Sequence, residues 1–291
     1  MELPDEQDQA AVQNKQAQAR RKAIEKQEGI SNITRERQPV LERKQRETYK
    51  EALRALNASG IVYAVGAAFA RHVYTSIWRH TKDLDLFVRP QDLRRAMDVL
   101  ESVGFETEVK NPSWLAKAWK NGYFLDMIFG TGNGHLAIDD RSFTGMKKGR
   151  VVGVEVNLIP IEEMMATAMY VAGRNRFDGG EVVHLIRSAR GRLNWNRILE
   201  RMGENRELLL WHLIHFNFIY PGHANYLPQE LMVQLFDEIR QHWESEKKHH
   251  SKSFRGTLLD PFSYTVDVKD WGYEDRRNSQ PLVTREGKYI E

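Results

Sequence analysis

The residue types that could do chemistry are concentrated in residues 79–88, with the sequence RHTKDLDLFV. Asp83 and Asp85 stand two residues apart, and the residues alternating with them are apolar. This period-two alternation predicts a half-buried strand whose carboxylates leave one face while the leucines enter a core. Two adjacent carboxylates repel each other unless a cation lies between them. The pair therefore predicts a metal site, with two divalent ions as the leading candidate.

A third acid, Asp126, lies in the sequence GYFLDMIFG. Two-metal phosphoryl transfer needs carboxylates converging on both ions. An acid inside an apolar strand is costly to bury unless it is paired or metal-bound, so Asp126 is the expected third ligand. Two alternatives stay open from the residues alone. Asp83 and Asp85 could be solvated or bridged to neighbouring cations, and Asp126 could be a hydrogen-bonded strand acid.

A glycine, Gly66, precedes the acidic strand at the end of a short apolar run and directly before a helical pattern. A strand-to-helix turn presents unpaired backbone N–H groups, and the helix dipole adds to their attraction for an anion. The turn is a candidate phosphate site. A tight turn without ligand is the simpler interpretation of a lone glycine.

The composition restricts the class of protein. The chain has 291 residues, no cysteine and a formal net charge of +3. These features exclude disulfides, zinc-thiolate sites and a thiol nucleophile, and they tolerate an anionic substrate without arguing for nucleic acid. The polar N-terminus and the lack of a long apolar run predict a cytoplasmic protein with no signal peptide or membrane helix.

The order of patterns predicts an α+β head followed by helices. A helix is expected at 42–56, strands at 61–65 and 79–88, a helix between them, and a further helix after Pro90. Three more strands are expected at 105–109, 123–129 and 151–158 in a mixed sheet. The predicted organisation is a charged arm (1–45), flexible or partner-binding, a catalytic domain (46–160), a helical domain (161–250) and an irregular tail with strand-like fragments (251–291).

These residues resemble the nucleotidyltransferase-fold (DNA polymerase beta-like) superfamily, and more narrowly its bacterial minimal-nucleotidyltransferase type with a helical C-terminal domain. The family pattern is a strand ending in Gly-Gly or Gly-Ser, a helix, Arg-x-Thr-x-Asp-h-Asp-h, and a later strand with a third Asp. Here it corresponds to Gly66-Ala67, residues 79–86 and Asp126. The resemblance covers residues 50–275. It implies the nucleotidyltransferase-like mixed sheet with flanking helices.

The resemblance also implies the reaction. An NMP would pass from an NTP to an acceptor hydroxyl with release of pyrophosphate. Asp83 and Asp85 would hold two Mg²⁺ ions, with Mn²⁺ as the alternative, and Asp126 would bind the catalytic metal and accept the acceptor's proton. The residues implied in nucleotide binding, ATP included, are Gly66, Ala67, Arg79, Thr81, Lys82, Arg174 and Arg176.

Two departures from the family pattern concern the phosphates. Ala67 stands where relatives carry Gly or Ser, and the region that often supplies a triphosphate lysine has none at 162–181. Arg174 and Arg176 could replace that lysine, because a guanidinium grips phosphate in a fork. They could equally pair with Asp178 and Glu181. A non-catalytic nucleotide-binding or interaction protein that keeps the fold is therefore the alternative hypothesis.

The acceptor stays open between a tRNA or other RNA end, a protein side chain and a small molecule, and a toxin–antitoxin or defence setting is one implication of the resemblance. The preferred base and the oligomeric state also stay open. A helical ribonuclease with Arg206 and His212 is disfavoured, since His212 lies on an apolar helix and is expected to pack. Basic residues flanking the predicted head favour an anionic acceptor slightly, namely Arg94, Arg95, Lys117, Lys120, Lys147, Lys148 and Arg150.

Overall fold

The computed structural model describes residues 39, 41–244 and 253–290. Its centre is a seven-stranded mixed sheet in the order β3-β4-β5-β2-β1-β7-β6. A separate two-stranded sheet joins β8 and β9. In chain order the strands are β1 (Tyr63–Val65), β2 (Asp83–Val88), β3 (Glu106–Asn111), β4 (Leu115–Lys120), β5 (Tyr123–Ile128), β6 (Lys147–Val151), β7 (Val154–Leu158), β8 (Ser253–Phe254) and β9 (Glu274–Asp275).

Helices flank the sheet and make up most of the chain after it, which confirms the predicted α+β class with a helical C-terminal part. No helix within the described ranges is both long and apolar enough to cross a bilayer. The helices are α1 (Arg43–Ala58), α2 (Ala67–Thr75), α3 (Leu93–Ser102), α4 (Asp140–Phe143), α5 (Ile161–Met169), α6 (Gly179–Ala189), α7 (Trp195–Met202), α8 (Arg206–Ile219), α9 (Gln229–Glu244), α10 (Gly256–Leu259) and α11 (Thr265–Lys269), with 3-10 turns at Pro90–Asp92 and Pro221–Tyr226.

The two faces of the sheet differ in chemistry, as the alternation along β2 predicts. Leu84 and Leu86 are fully buried, and Leu125 and Met127 of β5 are buried on the same side. We call the opposite side the acid face, because Asp83, Asp85 and the β5 acid all leave the sheet there. The leucine face anchors the sheet in the core, so the acid face can carry charge.

Most sequence-predicted elements are confirmed, but two strands of the sheet were missed. β4 was missed because two of its three buried residues, Ala116 and Ala118, are too small to mark an apolar alternation. The single strand predicted at 151–158 is the end of β6 and the whole of β7, joined by a tight turn in which Val152 and Gly153 both have positive φ. A hairpin of that type needs such backbone angles.

The C-terminal segment differs from its prediction. The fragment SYTVDV was expected to be strand-like, but α11 (Thr265–Lys269) runs through it. Beyond it the chain returns to the sheet, where Leu282 and Val283 both donate backbone N–H groups to Pro112 O at 2.9 and 3.2 Å. Val283 is fully buried. The tail thus closes over the β3–β4 connection.

One sequence prediction falls outside what the structure describes. The charged arm at 1–45 lies almost wholly outside the described residues. The proposed domain boundaries stay predictions. His212 packs as expected, with its ring buried and Nε2 3.0 Å from Met169 O, and burial lowers its pKa to about 4.

Candidate active site

The sheet brings the three predicted acids together on the acid face. β2 and β5 run parallel in a register that places Asp85 directly opposite Asp126. Asp83 lies two residues earlier on β2 and points the same way. Thr81 donates its hydroxyl to Asp83 Oδ1 at 2.5 Å, which fixes that carboxylate at the start of the strand.

The acids are electrostatically strained. Burial raises the pKa of Asp85 to about 7, and the charges of Asp83 and Asp126 add to the shift. The cations acting against that shift are Arg176 and Lys117. The Asp85 carboxylate has no hydrogen-bond partner among the described residues. The positive charge near Asp85 is therefore too small to stabilise its charged form.

Asp126 does have a cationic partner, Lys117. The sequence alone marks this lysine only as one of several basic residues around the predicted head. Lys117 lies opposite Asp126, on β4, and Lys117 Nζ is 2.5 Å from Asp126 Oδ1. Burial raises the pKa of Asp126, while the hydrogen bond from Lys117 lowers it. The pair depends on the register of β4 against β5. In the sequence, the only sign of it is the lysine that alternates with small apolar residues in LAKAWK.

The donor set fits a hard divalent ion, although its ligands are not gathered around one point. Within the described ranges no three His, Asp or Glu side chains form a ready metal cage. Asp126 accepts a hydrogen bond from Lys117, and Asp83 accepts one from Thr81. Carboxylate oxygens are the ligands that Mg²⁺ prefers, and the raised pKa of Asp85 indicates the missing positive charge.

The turn at Gly66 lies beside the acids. Gly66 donates its backbone N–H to Asp85 O at 3.0 Å, so this amide serves the sheet. The free amides therefore begin at Ala67, where α2 starts and its first N–H groups lack intrahelical partners. Ala67 has φ +40°, a conformation that favours glycine. The backbone at Ala67 thus adopts a conformation that suits glycine, although the residue is alanine.

Arginines line the next part of the site. Arg71, 3% exposed, pairs with Glu181 Oε1, and Arg79 Nη2 reaches the same oxygen at 2.6 Å. Burial lowers the pKa of Arg71 to about 10, with the charge of Arg79 next in size. Nε and Nη2 of Arg71 have no hydrogen-bond partner in the part of the chain that the structure describes. One carboxylate on α6 thus holds two guanidinium groups that come from α2 and from the segment before β2.

Arg176 and Arg174 lie on the loop before α6. Arg176 donates Nε and Nη2 to the two oxygens of Asp178 at 3.0 and 2.6 Å, which confirms one of the two pairings left open. Its pKa is raised chiefly by Asp178, with Asp85 and Asp83 contributing. Arg174 is exposed, and among the described residues it uses only its backbone N–H, toward Asp260. Glu181, the other expected partner, pairs with Arg71 and Arg79 instead.

The remaining predicted residue, Lys82, is exposed, and its carbonyl accepts a hydrogen bond from Tyr49 at 3.3 Å. Burial raises the pKa of that tyrosine to about 12. Tyr49 therefore supports the backbone where the acid strand begins. The site unites the acids, the α2 turn and the arginines, whereas Lys82 and Arg174 extend into solvent.

Comparison with known proteins finds a family match over part of the chain. Residues 31–173, just under half of the chain, match the family model described as uncharacterised nucleotidyltransferase. No curated protein sequence matches the chain.

Three solved structures are similar to the chain. The antibiotic-resistance factor ANT(2'')-Ia is 15% identical, with a TM-score of 0.43 over 60% of this chain and 99% of that one. The lincosamide antibiotic adenylyltransferase LnuA is 13% identical, with a TM-score of 0.36 over 48% and 94%. JHP933 from Helicobacter pylori is 11% identical, with a TM-score of 0.36 over 72% and 97%.

At these identities and TM-scores the likenesses are too distant to say anything about substrate. The family match covers the strand-turn-helix at Gly66, the acidic strand and the third acid. Residues 31–173 are therefore similar to a nucleotidyltransferase family, over the segment that holds the Gly66 turn and the three acids.

Proposed function

We propose that this protein transfers an NMP from an NTP to an acceptor hydroxyl with Mg²⁺ as its cofactor. The observation that carries the proposal is the placement of Asp83, Asp85 and Asp126 on one sheet face with too little positive charge around them. Bound divalent ions would supply that charge and offset the negative charge that develops on the phosphates.

The acids have separate roles in this proposal. Asp83 and Asp85 hold both ions, since they share one strand and one face. Asp126 is a ligand of one ion and lies where it can take the proton of the acceptor hydroxyl. Its present partner, Lys117, keeps the carboxylate charged until substrate arrives. The acceptor oxygen bonds to the α-phosphorus, the bond to the bridging oxygen breaks, and pyrophosphate leaves.

Phosphate binding falls to the α2 turn and the arginines. The free amides of Ala67 and its neighbours face an anion at a helix N-terminus, and Gly66 keeps the backbone close to β2. Arg176, already close enough to influence Asp83 and Asp85, is the best placed guanidinium. Arg79 and Thr81 position the acid strand through their contacts with Glu181 and Asp83. Exposed Lys82 and Arg174 can reach phosphates by rotation of their side chains.

The same proposal divides the chain into a catalytic head (46–160), a helical domain (161–250) forming the other wall, an N-terminal arm (1–45) and a tail (251–291). ATP as donor, a cytoplasmic location and a toxin–antitoxin or defence setting are the finer parts of the proposal. The alternative, a nucleotide-binding protein without activity, is supported by Ala67 and by the absence of a lysine at 162–181.

Incubating the purified chain with each α-labelled NTP, Mg²⁺, total RNA and cell lysate tests the proposal. Label should appear on an acceptor, and it should disappear with Asp83→Asn and Asp85→Asn. Asp98→Asn is the matched control, because its side chain is 60% exposed and pairs only with Arg94 on the surface of α3. If no NTP binds in the presence of Mg²⁺, the proposal is wrong. Binding without transfer supports the alternative.

A further inference from the structure

Residues 171–178 form a tight hairpin just before α6, which we call the arginine hairpin. Gly173 and Arg176 exchange backbone hydrogen bonds across it at 2.9 and 3.3 Å. The guanidinium of Arg176 is fixed within the hairpin, because it binds both oxygens of Asp178 at the base. The orientation of the hairpin as a whole therefore sets the position of this guanidinium relative to the acids.

Arg176 is the guanidinium of the hairpin that acts on the acids. Burial raises the pKa of Asp85, and Arg176 and Lys117 are the cations that oppose this shift. Lys117 is already paired with Asp126 at 2.5 Å. Arg176 donates Nε and Nη2 to Asp178, and within the described ranges no residue accepts a hydrogen bond from its Nη1. This guanidinium can therefore bind a phosphate oxygen beside the acids without losing its present partner.

The arginine hairpin is held in place by side chains from two other parts of the chain. Phe177 packs against Trp211 and His215 of α8, with ring centroids 5.8 and 5.5 Å apart. Asp260, in the tail, accepts the backbone N–H of Arg174 with its Oδ2 at 2.9 Å. The aromatic contacts fix the end of the hairpin next to α6, and Asp260 fixes its turn.

Asp260 is a rigid and charged acceptor. Its residue is 7% exposed, and its carboxylate also accepts the hydroxyl of Ser263 at 2.6 Å and the N–H of Phe262 at 3.0 Å. The hydrogen bond from Ser263, followed by that from Arg174, lowers the pKa of Asp260 to about 2. A Cβ at Gly173 would lie 3.1 Å from the carboxyl group, so the hairpin approaches it closely at a residue without a side chain.

The segment that carries Asp260 is also tied to the strand of the third acid. The carbonyl of Leu258, in α10, accepts the side-chain amide of Asn133 at 3.0 Å. The carbonyl of Asn133 accepts the backbone N–H of Asn278, further along the tail, at 3.2 Å. Asn133 lies on the loop that follows β5, the strand of Asp126. The tail thus connects this loop with the arginine hairpin.

We infer that Asp260 is a positioning residue of the nucleotide site: it holds the arginine hairpin by the backbone of Arg174, so that Arg176 faces the acids and can bind the phosphates of the NTP. This inference rests on the proposed function. Asp260 acts only through the hairpin, since its two oxygens already accept three hydrogen bonds. The inference places a functional residue in the tail, well beyond the segment 31–173 that carries the family match.

Calorimetry on the full chain tests the inference, with inorganic tripolyphosphate in excess Mg²⁺ as the probe, because this probe needs the phosphate site but no base. Asp260→Asn replaces one acceptor oxygen by an NH₂ group and should weaken tripolyphosphate binding about tenfold. Its affinity for Mg²⁺ alone should not change, since the three acids are untouched. The matched control is Asp275→Asn, whose carboxylate pairs with Arg277 within the same tail, and it should bind tripolyphosphate like the unaltered chain.

A double-variant cycle separates positioning from a merely structural role. Arg176→Met alone should weaken tripolyphosphate binding, and adding Asp260→Asn to it should weaken the binding no further. Gly173→Ala is a second variant that leaves the tail unaltered, because its methyl group would press on the Asp260 carboxylate from the hairpin side. It should also weaken binding, whereas Gly180→Ala, with nothing within 4 Å of its Cβ position, should not.

Two outcomes overturn the inference while leaving the proposed function intact. The first is a tripolyphosphate affinity in Asp260→Asn and Gly173→Ala equal to that of their controls. The second is an equal loss from Asp260→Asn with and without Arg176→Met, which would show that Asp260 stabilises the fold without directing Arg176. Lack of tripolyphosphate binding by the unaltered chain, or undiminished binding by Asp83→Asn, contradicts the proposed function itself, and the inference falls with it.

Discussion

Gly66 donates its backbone N–H to the carbonyl oxygen of Asp85 at 3.0 Å. This hydrogen bond holds the first turn of α2 against the acid strand. The position of the helix amides relative to the carboxylates is therefore set by the backbone. A Cβ at Gly66 would lie 2.1 Å from Phe87 Cε2, so only glycine permits this approach. The carboxylates proposed to bind metal and the α2 amides proposed to bind phosphate are thereby aligned by a backbone contact.

Gly66→Ala should lower the free energy of unfolding by about 2 kcal/mol, because the new methyl group meets a buried ring. Urea unfolding followed by circular dichroism measures this. Gly180→Ala is the matched control, since nothing lies within 4 Å of its Cβ position in α6. Adding Phe87→Leu to Gly66→Ala should recover part of the loss. An unchanged midpoint in Gly66→Ala would show that the turn is looser than described.

Ala67→Gly should leave the protein as stable as before, or more stable by up to about 1 kcal/mol, since glycine accepts positive φ without strain. Thermal unfolding is the measurement. The contrast is Ala55→Gly in the interior of α1, where the same change should cost about 1 kcal/mol of helix propensity. Equal losses at both positions would contradict the strain at Ala67.

Asp85→Asn should stabilise the metal-free protein at pH 8 by on the order of 2 kcal/mol. The folded pKa of Asp85, about 7, lies above its ordinary value of 3.8, so the folded state binds more protons between these values. Stability of the unaltered chain should therefore fall as the pH rises from 4 to 8, and the gap to the variant should close near pH 4. Asp98→Asn keeps Asp85, so its stability should fall with pH as that of the unaltered chain does. With Mg²⁺ present the order should reverse.

Lys117→Met should tighten Mg²⁺ binding about tenfold, because the ammonium that now holds Asp126 competes with the ion for the same carboxylate. Calorimetry with Mg²⁺ alone gives this constant without any turnover. The control is Lys50→Met, which removes the same charge from a surface pair with Glu47. Weaker Mg²⁺ binding in Lys117→Met would mean that the lysine orients the acid for the metal.

Glu181→Gln should lower the free energy of unfolding by about 3 kcal/mol, because buried Arg71 and half-buried Arg79 lose their shared carboxylate. Chemical denaturation measures the loss. Glu204→Gln, which breaks a surface pair with Arg276, should change stability by less than about 1 kcal/mol. A small loss in Glu181→Gln would show that water replaces the carboxylate.

The acid strand could be predicted from sequence because its own residues determine it. Asp83 and Asp85 alternate with leucines, and the family pattern adds the turn at Gly66. The partner of Asp126 could not be predicted in the same way, because it depends on β4, where small alanines replace the apolar marks of a strand. The shared use of Glu181 was equally hidden, since its two arginines stand far away in the chain and only packing of α2 on α6 unites them.

The tail that donates from Leu282 and Val283 to Pro112 also affects the order in which the molecule can form. A ribosome makes the three acids and strands β3 and β4 long before it makes residue 283, whose buried side chain completes the cover of the β3–β4 connection. Strands β3 and β4 therefore lack their contacts with the tail while well over a hundred further residues are synthesised. During that interval the β3–β4 connection lacks the hydrogen bonds that the tail gives it in the folded protein, next to an edge strand that can pair with another chain.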